Sequence, residues 1–121
     1  EQDLNSKKIY KSIEIVYGLR NFIGNANKFS KSKVFINLKS NNNFTEITIE
    51  DDGDGYPNDI LSKIGEPYLK SSDKNSGLGL GLFIGKTLLE KNFATVNCWN
   101  SQTRSGAEVT IKWKNKDLFN L

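Results

Sequence analysis

Histidine and cysteine are absent or rare in the chain. Its 121 residues include no histidine and a single cysteine. Any reaction that needs an imidazole must therefore use one from outside the chain. Cys98 has no partner for an internal disulfide, which fits a reducing compartment. No apolar run approaches the about 20 residues of a membrane-spanning helix, so we expect the chain not to enter a membrane.

Composition and charge restrict the class of protein further. The chain is 36% hydrophobic and carries a net charge of +3, which is typical of one globular domain with a single core. The lysines are scattered, and no basic cluster carries interleaved aromatic residues. We therefore expect no nucleic-acid binding, because mild basicity usually serves solubility.

The pattern of residues predicts one domain over residues 9–121, preceded by a polar tail or cut linker at 1–8. A helix is predicted from about Ile9 to Phe29, because apolar residues recur on one face at helical spacing. The residues on that face are Ile15, Leu19, Phe22, Ile23 and Ala26.

The remaining segments predict an α+β fold. Strands are expected at 33–40, 44–51, 94–100 and 107–113, with a hairpin turn at 41–43, a short helix from Pro57 to about Ile64, a loop at 65–80 and a helix from Leu82 to Asn92. This order predicts a two-layer α/β sandwich, in which helices cover one face of a mixed, mostly antiparallel sheet.

Three polar residues of the first helix are candidates for a ligand site. Asn21, Asn25 and Lys28 follow the spacing i, i+4, i+7 and fall within a narrow arc opposite the apolar stripe. One interpretation is an ordinary solvated face. The other is a pair of amide oxygens facing a cation such as Mg²⁺, beside an ammonium group facing phosphate.

Asp51 is the second candidate. It shares a strand face with Ile47 and Ile49, so its carboxylate leans toward the apolar side, where it needs a hydrogen-bond donor. Gly53 and Gly55 follow and allow something flat to approach closely. The alternative is a simple Asp-Gly turn, in which Asp51 accepts from nearby backbone N–H groups.

The stretch "GLGLGLFIGKT" (77–87) is the third candidate, although it matches neither the P-loop nor the dinucleotide fingerprint. Gly77, Gly79 and Gly81 let the backbone curl, so that N–H groups could converge on an anion near the start of the next helix. Leucines and Phe83 could anchor this turn in the core. A flexible hinge is the alternative.

Together, these motifs resemble the ATP-binding catalytic domain of sensor histidine kinases, which has the Bergerat fold of the gyrase, Hsp90 and MutL superfamily (GHKL). The motifs are Asn-x-x-x-Asn-Ala-x-Lys-Phe (21–29), Asp-x-Gly-x-Gly (51–55) and Gly-x-Gly-Leu-Gly-Leu (77–82). The resemblance runs from about residue 12 to 114. "GEPY" and "GLGLGLFIGKTLLE" are most similar to the RegB/PrrB/ActS group of redox-responsive kinases.

The resemblance implies ATP and Mg²⁺ as cofactors. Asn25 would bind Mg²⁺ with help from Asn21, Lys28 or Lys70 would lie near the phosphates, and Asp51 would accept a hydrogen bond from the adenine amine. Gly53 and Gly55 would border the base. Residues 66–76 would form a mobile lid, and the phosphates would be wrapped by Gly77, Leu78, Gly79, Leu80, Gly81 and Leu82.

The activity implied is transfer of the γ-phosphoryl group to a histidine on a separate dimerisation domain of the same kinase, and from there to a response regulator. The isolated domain would be monomeric and the whole kinase a homodimer. The domain would be the cytoplasmic part of a membrane-anchored bacterial sensor kinase.

Two other functions remain open at this point. A relative of the gyrase or MutL type would hydrolyse ATP to drive a conformational clamp, but such enzymes have a glutamate base where this chain has Asn21, and an amide cannot abstract a proton at neutral pH. The second is an inactive nucleotide-binding adaptor, which the intact Asn25, Asp51 and glycines argue against.

Overall fold

The structure is a computed structural model that describes residues 12–62, 76–103 and 105–118. Its elements, in chain order, are α1 (Ile13–Phe29), β1 (Val34–Ser40), β2 (Phe44–Asp51), α2 (Asn58–Leu61), α3 (Ser76–Lys91), β3 (Thr95–Asn100), β4 (Ala107–Lys114) and α4 (Asn115–Leu118). The predicted order of helices and strands is confirmed, with α4 in addition. The tail at 1–8, Lys70 and residues 66–75 of the lid lie outside the described residues.

Helix α1 begins later than the sequence predicts. Ser12 has extended backbone angles and caps the helix, because its Oγ accepts a hydrogen bond from the Ile15 N–H at 3.4 Å. The helix therefore starts at Ile13, and the predicted start at Ile9 is wrong. Ile15, Phe22 and Ala26 are buried as predicted, whereas Ile23, at the edge of the apolar stripe, is 37% exposed.

The four described strands form one sheet in the order β1-β2-β4-β3. Every pairing among them is antiparallel, so the described residues show the antiparallel part of the predicted sheet and no parallel pair. Strands β1 and β2 are joined through residues 41–43, which confirms the predicted hairpin.

The helices α1 and α3 cover one face of the sheet and pack against each other. Strand β4 alternates buried and more exposed residues, and its buried positions are Ala107, Val109, Ile111 and Trp113. With the buried sides of α1 and α3 they form the core, which confirms the predicted two-layer arrangement. Among the described residues, no helix is long and apolar enough to cross a membrane.

Helices α2 and α3 both depart from the predicted boundaries. Helix α2 ends at Leu61, with Ser62 as its C-cap, rather than near Ile64. Helix α3 starts at Ser76, so residues 76–80, predicted as the end of a loop, are helical. Three glycines within six residues lower helix propensity, but packing against α1 overrides that preference, since Leu82 and Leu89 of α3 are fully buried.

Candidate nucleotide site

A cavity of about 210 Å³ opens between α1, the sheet and the segment that follows β2. Most of its walls are apolar or aromatic, and its polar groups lie on a few residues. The lining residues are Phe22, Asn25, Ala26, Phe29, Ile49, Asp51, Asp54, Gly55, Tyr56, Pro57, Ala107 and Val109. An apolar cavity with a few converging polar groups is the usual form of a small-molecule site.

Asp51 is the buried carboxylate of this cavity, with 4% of its surface exposed. Its Oδ1 accepts hydrogen bonds from the Gly53 N–H at 2.8 Å and the Ala107 N–H at 3.4 Å. Its Oδ2 accepts none within the described residues. The Asp-Gly turn foreseen in the sequence therefore occupies one oxygen, and the other is left for a donor that enters the cavity.

Asn25 also lines the cavity, and its Nδ2 is buried without a hydrogen-bond partner among the described residues. An unsatisfied buried amide is costly unless a ligand completes its bonding. One turn earlier, the Nδ2 of Asn21 donates to the Tyr17 carbonyl at 2.9 Å, and no described residue donates a hydrogen bond to its Oδ1. The simple solvated-face interpretation does not hold for Asn25.

Lys28, the third polar residue of this arc, lies apart from the cavity lining. Its side chain is exposed, and its Nζ is 5.3 Å from the centroid of the Phe29 ring. Helical spacing placed it correctly on the polar side of α1, but α1 ends at Phe29, one residue later. The ammonium group therefore stands at the outer end of the helix.

Helix α3 brings its glycines to α1 rather than forming a free loop. The residues predicted to wrap phosphates, Gly77, Leu78, Gly79, Leu80, Gly81 and Leu82, occupy its first two turns. An ideal Cβ at Gly81 would lie 3.3 Å from Asn25 Nδ2 and 3.7 Å from Asn21 Oδ1. The structure thus brings Asn21, Asn25 and Gly81 together.

The interpretation of residues 77–81 as a curled loop before a helix at Leu82 is wrong for the described conformation. Only the first four N–H groups of a helix lack an intrahelical acceptor. Gly77 lies among these four and can donate its N–H to a phosphate, whereas Gly81 lies beyond them and cannot. Leu82 is fully buried, whereas Leu80, predicted to anchor the turn, is 51% exposed.

The two glycines after Asp51 have different environments. Gly55 lines the cavity and has a φ of +83°, a conformation that side chains rarely adopt. Gly53 lies behind the cavity wall, where a Cβ would overlap the carbonyl oxygen of Phe29. Gly106, before β4, is equally restricted, because a Cβ there would overlap the Asp51 main chain.

Several lining residues were missed in the sequence. Tyr56 follows Gly55 directly and is buried, with 8% of its surface exposed. Phe29 ends the first motif, so both lay next to residues already singled out. Ala107 and Val109 come from β4 and reach the cavity only because β4 pairs with β2. The sequence predicted the strand that carries them, but no local signal tied them to Asp51.

Cys98 lies behind Tyr56 rather than in the cavity lining. Burial raises the pKa of the Cys98 thiol to about 12, despite a hydrogen bond with Tyr56 that lowers it. Burial also raises the pKa of the Tyr56 hydroxyl. Because the thiolate is the reactive form, the raised pKa disfavours a reactive role, and the partly buried side chain packs against the core.

Comparison with known proteins identifies the family. The family described as histidine kinase-, DNA gyrase B-, and HSP90-like ATPase matches residues 11–117. The sensor histidine kinase RegB of Cereibacter sphaeroides is 37% identical over 119 residues, covering 83% of this chain and 26% of RegB. Sporulation kinase B of Bacillus subtilis is 37% identical over 82 residues, covering 68% of this chain and 18% of that kinase.

Solved structures agree with the fold. A mycobacterial sensor histidine kinase, MprB, superposes with a TM-score of 0.70 at 24% identity, covering 88% of this chain and 75% of that one. Full-length ShkA in complex with AMPPNP superposes with a TM-score of 0.65 at 25% identity, covering 83% of this chain and 21% of that one. The chain therefore belongs to the histidine kinase-, DNA gyrase B- and HSP90-like ATPase family, as an ATP-binding catalytic domain of the sensor histidine kinase type.

Proposed function

We propose that the chain binds Mg²⁺-ATP in the cavity beside Asp51 and donates the γ-phosphoryl group to a histidine on a separate dimerisation domain. The observation that supports this most strongly is the Asp51 carboxylate, which is buried in an apolar cavity and has one oxygen without a hydrogen bond from any described residue. The ShkA relative was solved with the ATP analogue AMPPNP, which supports the same class of ligand here.

The Asp51 Oδ2 selects for adenine by its hydrogen-bonding type. An ionised carboxylate only accepts hydrogen bonds, and the exocyclic amine of adenine donates. Guanine carries a carbonyl at the same position, so two acceptors would meet with no proton between them. Phe22, Ala26 and Val109 supply apolar lining for a flat base.

The phosphates would then extend toward Asn25 and the start of α3. The Nδ2 of Asn25 is buried without a partner among the described residues and could donate to a phosphate oxygen, and the Nδ2 of Asn21 is engaged by the Tyr17 carbonyl. Amide oxygens suit Mg²⁺, which usually keeps several waters and needs only one or two protein ligands. The described residues contain no cluster of three acidic, histidine or cysteine side chains, and such a site does not require one.

Bound Mg²⁺ would neutralise phosphate charge during transfer. Asn25 would be its direct ligand and Asn21 a supporting oxygen. The N–H of Gly77, in the first turn of α3, would donate to a phosphate oxygen. Lys28 stands at the outer end of α1 and would lie near the phosphates; Lys70 is the second candidate for that role.

The acceptor must lie outside the chain, which has no histidine. The chain spans 26% of the length of RegB, so the partners of the whole kinase are part of the proposal. They are the dimerisation domain of the same kinase and a response regulator. The domain would act as a monomeric unit on the cytoplasmic side of a homodimeric, membrane-anchored kinase.

Hydrolysis is disfavoured by the groups present. The carboxylates among the described lining residues are Asp51 and Asp54. Asp51 accepts from Gly53 and, in the proposed function, from the adenine amine, and Asp54 lies at the surface beside Lys31, with Nζ and Oδ1 3.2 Å apart. Asn21 cannot act as a base toward water. An adaptor without kinase activity would bind the nucleotide equally well. Only an assay of phosphoryl transfer distinguishes such an adaptor from a kinase domain.

Calorimetric titration with ATP and GTP tests the adenine assignment. Asp51→Asn keeps the oxygen that accepts from Gly53 and replaces Oδ2 by an NH₂ group. The side chain keeps its shape, but the group that faces the adenine amine changes from an acceptor to a donor. We expect the variant to bind ATP on the order of 100-fold more weakly, because a mispaired buried polar group is strongly rejected. The wild type should bind GTP poorly.

Asp59→Asn is the matched control, because Asp59 is an exposed carboxylate on α2. It should bind ATP as the wild type does. Thermal melts should show all three proteins folded at the temperature of titration. Unchanged ATP affinity in a folded Asp51→Asn protein would refute the placement of adenine against Asp51.

A further inference from the structure

The cavity wall formed by Gly55, Tyr56 and Pro57 has little regular structure of its own. It lies between the end of β2 and the start of α2. The backbone N–H and C=O of Tyr56 are therefore not paired within a helix or a strand. Buried backbone groups require partners, so something else must hold this wall in place.

The side chain of Asn100 supplies both partners. The Tyr56 N–H donates to Asn100 Oδ1 at 2.6 Å, and Asn100 Nδ2 donates to the Tyr56 carbonyl at 3.2 Å. One side-chain amide thus pairs with one backbone residue in the manner of a neighbouring strand. Because Asn100 ends β3 and pairs with Ala107 of β4, the wall is attached directly to the sheet.

Gly55 is shaped to the same contact. Gly55 has a φ of +83°, and an ideal Cβ built on it would lie 2.7 Å from Asn100 Oδ1. Any side chain at position 55 would therefore displace the amide as well as strain the backbone. Gly55 and Asn100 are two parts of one arrangement.

The arrangement reaches the proposed base-binding end of the cavity. Tyr56 lines the cavity and Asn100 does not. Ala107, the β4 partner of Asn100, donates its N–H to Asp51 Oδ1 at 3.4 Å. Asn100 therefore acts on a ligand only through Tyr56, Gly55 and their position relative to Asp51.

We propose that Asn100 is a positioning residue for nucleotide binding, which holds Gly55 and Tyr56 in the arrangement that accepts the base. This inference rests on the proposed function, because it assumes that the base lies between Asp51 and Tyr56. We call the two hydrogen bonds between Asn100 and Tyr56 the clamp. Without the clamp, the cavity wall samples other arrangements, and the apparent affinity for nucleotide is multiplied by the fraction of molecules whose wall is in the binding-competent arrangement. A competent fraction of about one tenth would weaken binding about tenfold.

The test is calorimetric titration of the whole chain with ADP and ATP, for the wild type, Asn100→Ala and Asn97→Ala. Asn97 is an exposed asparagine on the same strand and serves as the matched control. Asn100→Ala should weaken ADP and ATP by the same factor, about tenfold, because the clamp acts at the base end. Asn97→Ala should bind both as the wild type does. All titrations are run well below the melting temperature of the least stable variant.

Gly55→Ala provides a second, independent readout. In the wild type the new methyl group meets both Asn100 and an unfavourable φ, whereas in Asn100→Ala only the unfavourable φ remains. The loss of ADP affinity caused by Gly55→Ala should therefore be smaller in the Asn100→Ala background. Equal losses in both backgrounds would overturn the coupling between the two residues.

Failure of the inference can be told from failure of the proposed function. If the wild type binds neither ADP nor ATP, the proposed function is overturned, and the inference that rests on it is overturned as well. If the wild type binds both and Asn100→Ala binds them with wild-type affinity, the inference alone is overturned. A lower melting temperature with unchanged affinity would likewise overturn it, since Asn100 would then serve stability only.

Discussion

The carboxylate of Asp52 organises the loop that follows α1. It accepts hydrogen bonds from the Ser32 hydroxyl at 2.7 Å and from the N–H groups of Lys31, Ser32 and Lys33 at 2.8 to 3.2 Å. These bonds, with the Ser32 hydroxyl as the largest contributor, hold the pKa of Asp52 well below its ordinary value. The residue thus ties the end of α1 to the turn that carries Asp51.

This depressed pKa predicts how stability depends on pH. Because the folded chain favours ionised Asp52, its contribution is fully present above the unfolded pKa of about 3.9 and is lost as pH falls toward the folded pKa. Asp52→Asn should therefore lower the urea midpoint at pH 7, and the difference from the wild type should shrink below about pH 4.

Urea denaturation at a series of pH values makes this measurement, with Asp59→Asn as the exposed-carboxylate control. A difference between Asp52→Asn and wild type that stays constant down to pH 2.5, roughly one unit below the ordinary pKa of an aspartate, would contradict the assignment.

Helices α1 and α3 meet through glycines that leave room for their neighbours. An ideal Cβ at Gly85 would lie 2.8 Å from the Phe22 ring, and Phe22 is 1% exposed, so it cannot move aside. Gly24, on the exposed side of α1, has nothing within 4 Å of an ideal Cβ. The same substitution should therefore have opposite effects at the two positions.

Gly85→Ala should lower the free energy of unfolding by about 1–3 kcal/mol through overpacking. Gly24→Ala should raise it by about 0.5–1 kcal/mol, because alanine is the better helix former. Chemical denaturation of both variants checks the pair. Stabilisation by Gly85→Ala would show that the two helices are not in close contact.

These helices also show what sequence can and cannot predict. The spacing of Ile15, Phe22 and Ala26 predicted the buried side of α1, because that side follows from helical geometry alone. The predicted start of α3 at Leu82 is wrong, because packing against α1 outweighs the low helix propensity of the three glycines. The Asn100–Tyr56 pair could not be predicted, because the two residues lie 44 positions apart and meet only through the sheet.

The domain as a whole contains the groups that the proposed phosphoryl transfer requires. Asp51 and the apolar cavity suit an adenine base. Asn25 of α1 lies next to Gly81 of α3. The family match covers residues 11–117. The chain has no histidine to receive phosphate. In the proposed function, the receiving histidine is therefore supplied by a second domain.

The most direct test is phosphoryl transfer from γ-labelled ATP with Mg²⁺. The chain alone should bind the nucleotide, hydrolyse it slowly and gain no phosphohistidine. Fused to the histidine-bearing dimerisation domain of its kinase, it should label that histidine, since tethering supplies an effective concentration of roughly millimolar. At ATP concentrations near the wild-type Kd, Asp51→Asn in the fusion should strongly reduce labelling, and Asp59→Asn should not. Rapid ATP turnover by the chain alone, or nucleotide binding without any labelling of the fused histidine, would contradict the account.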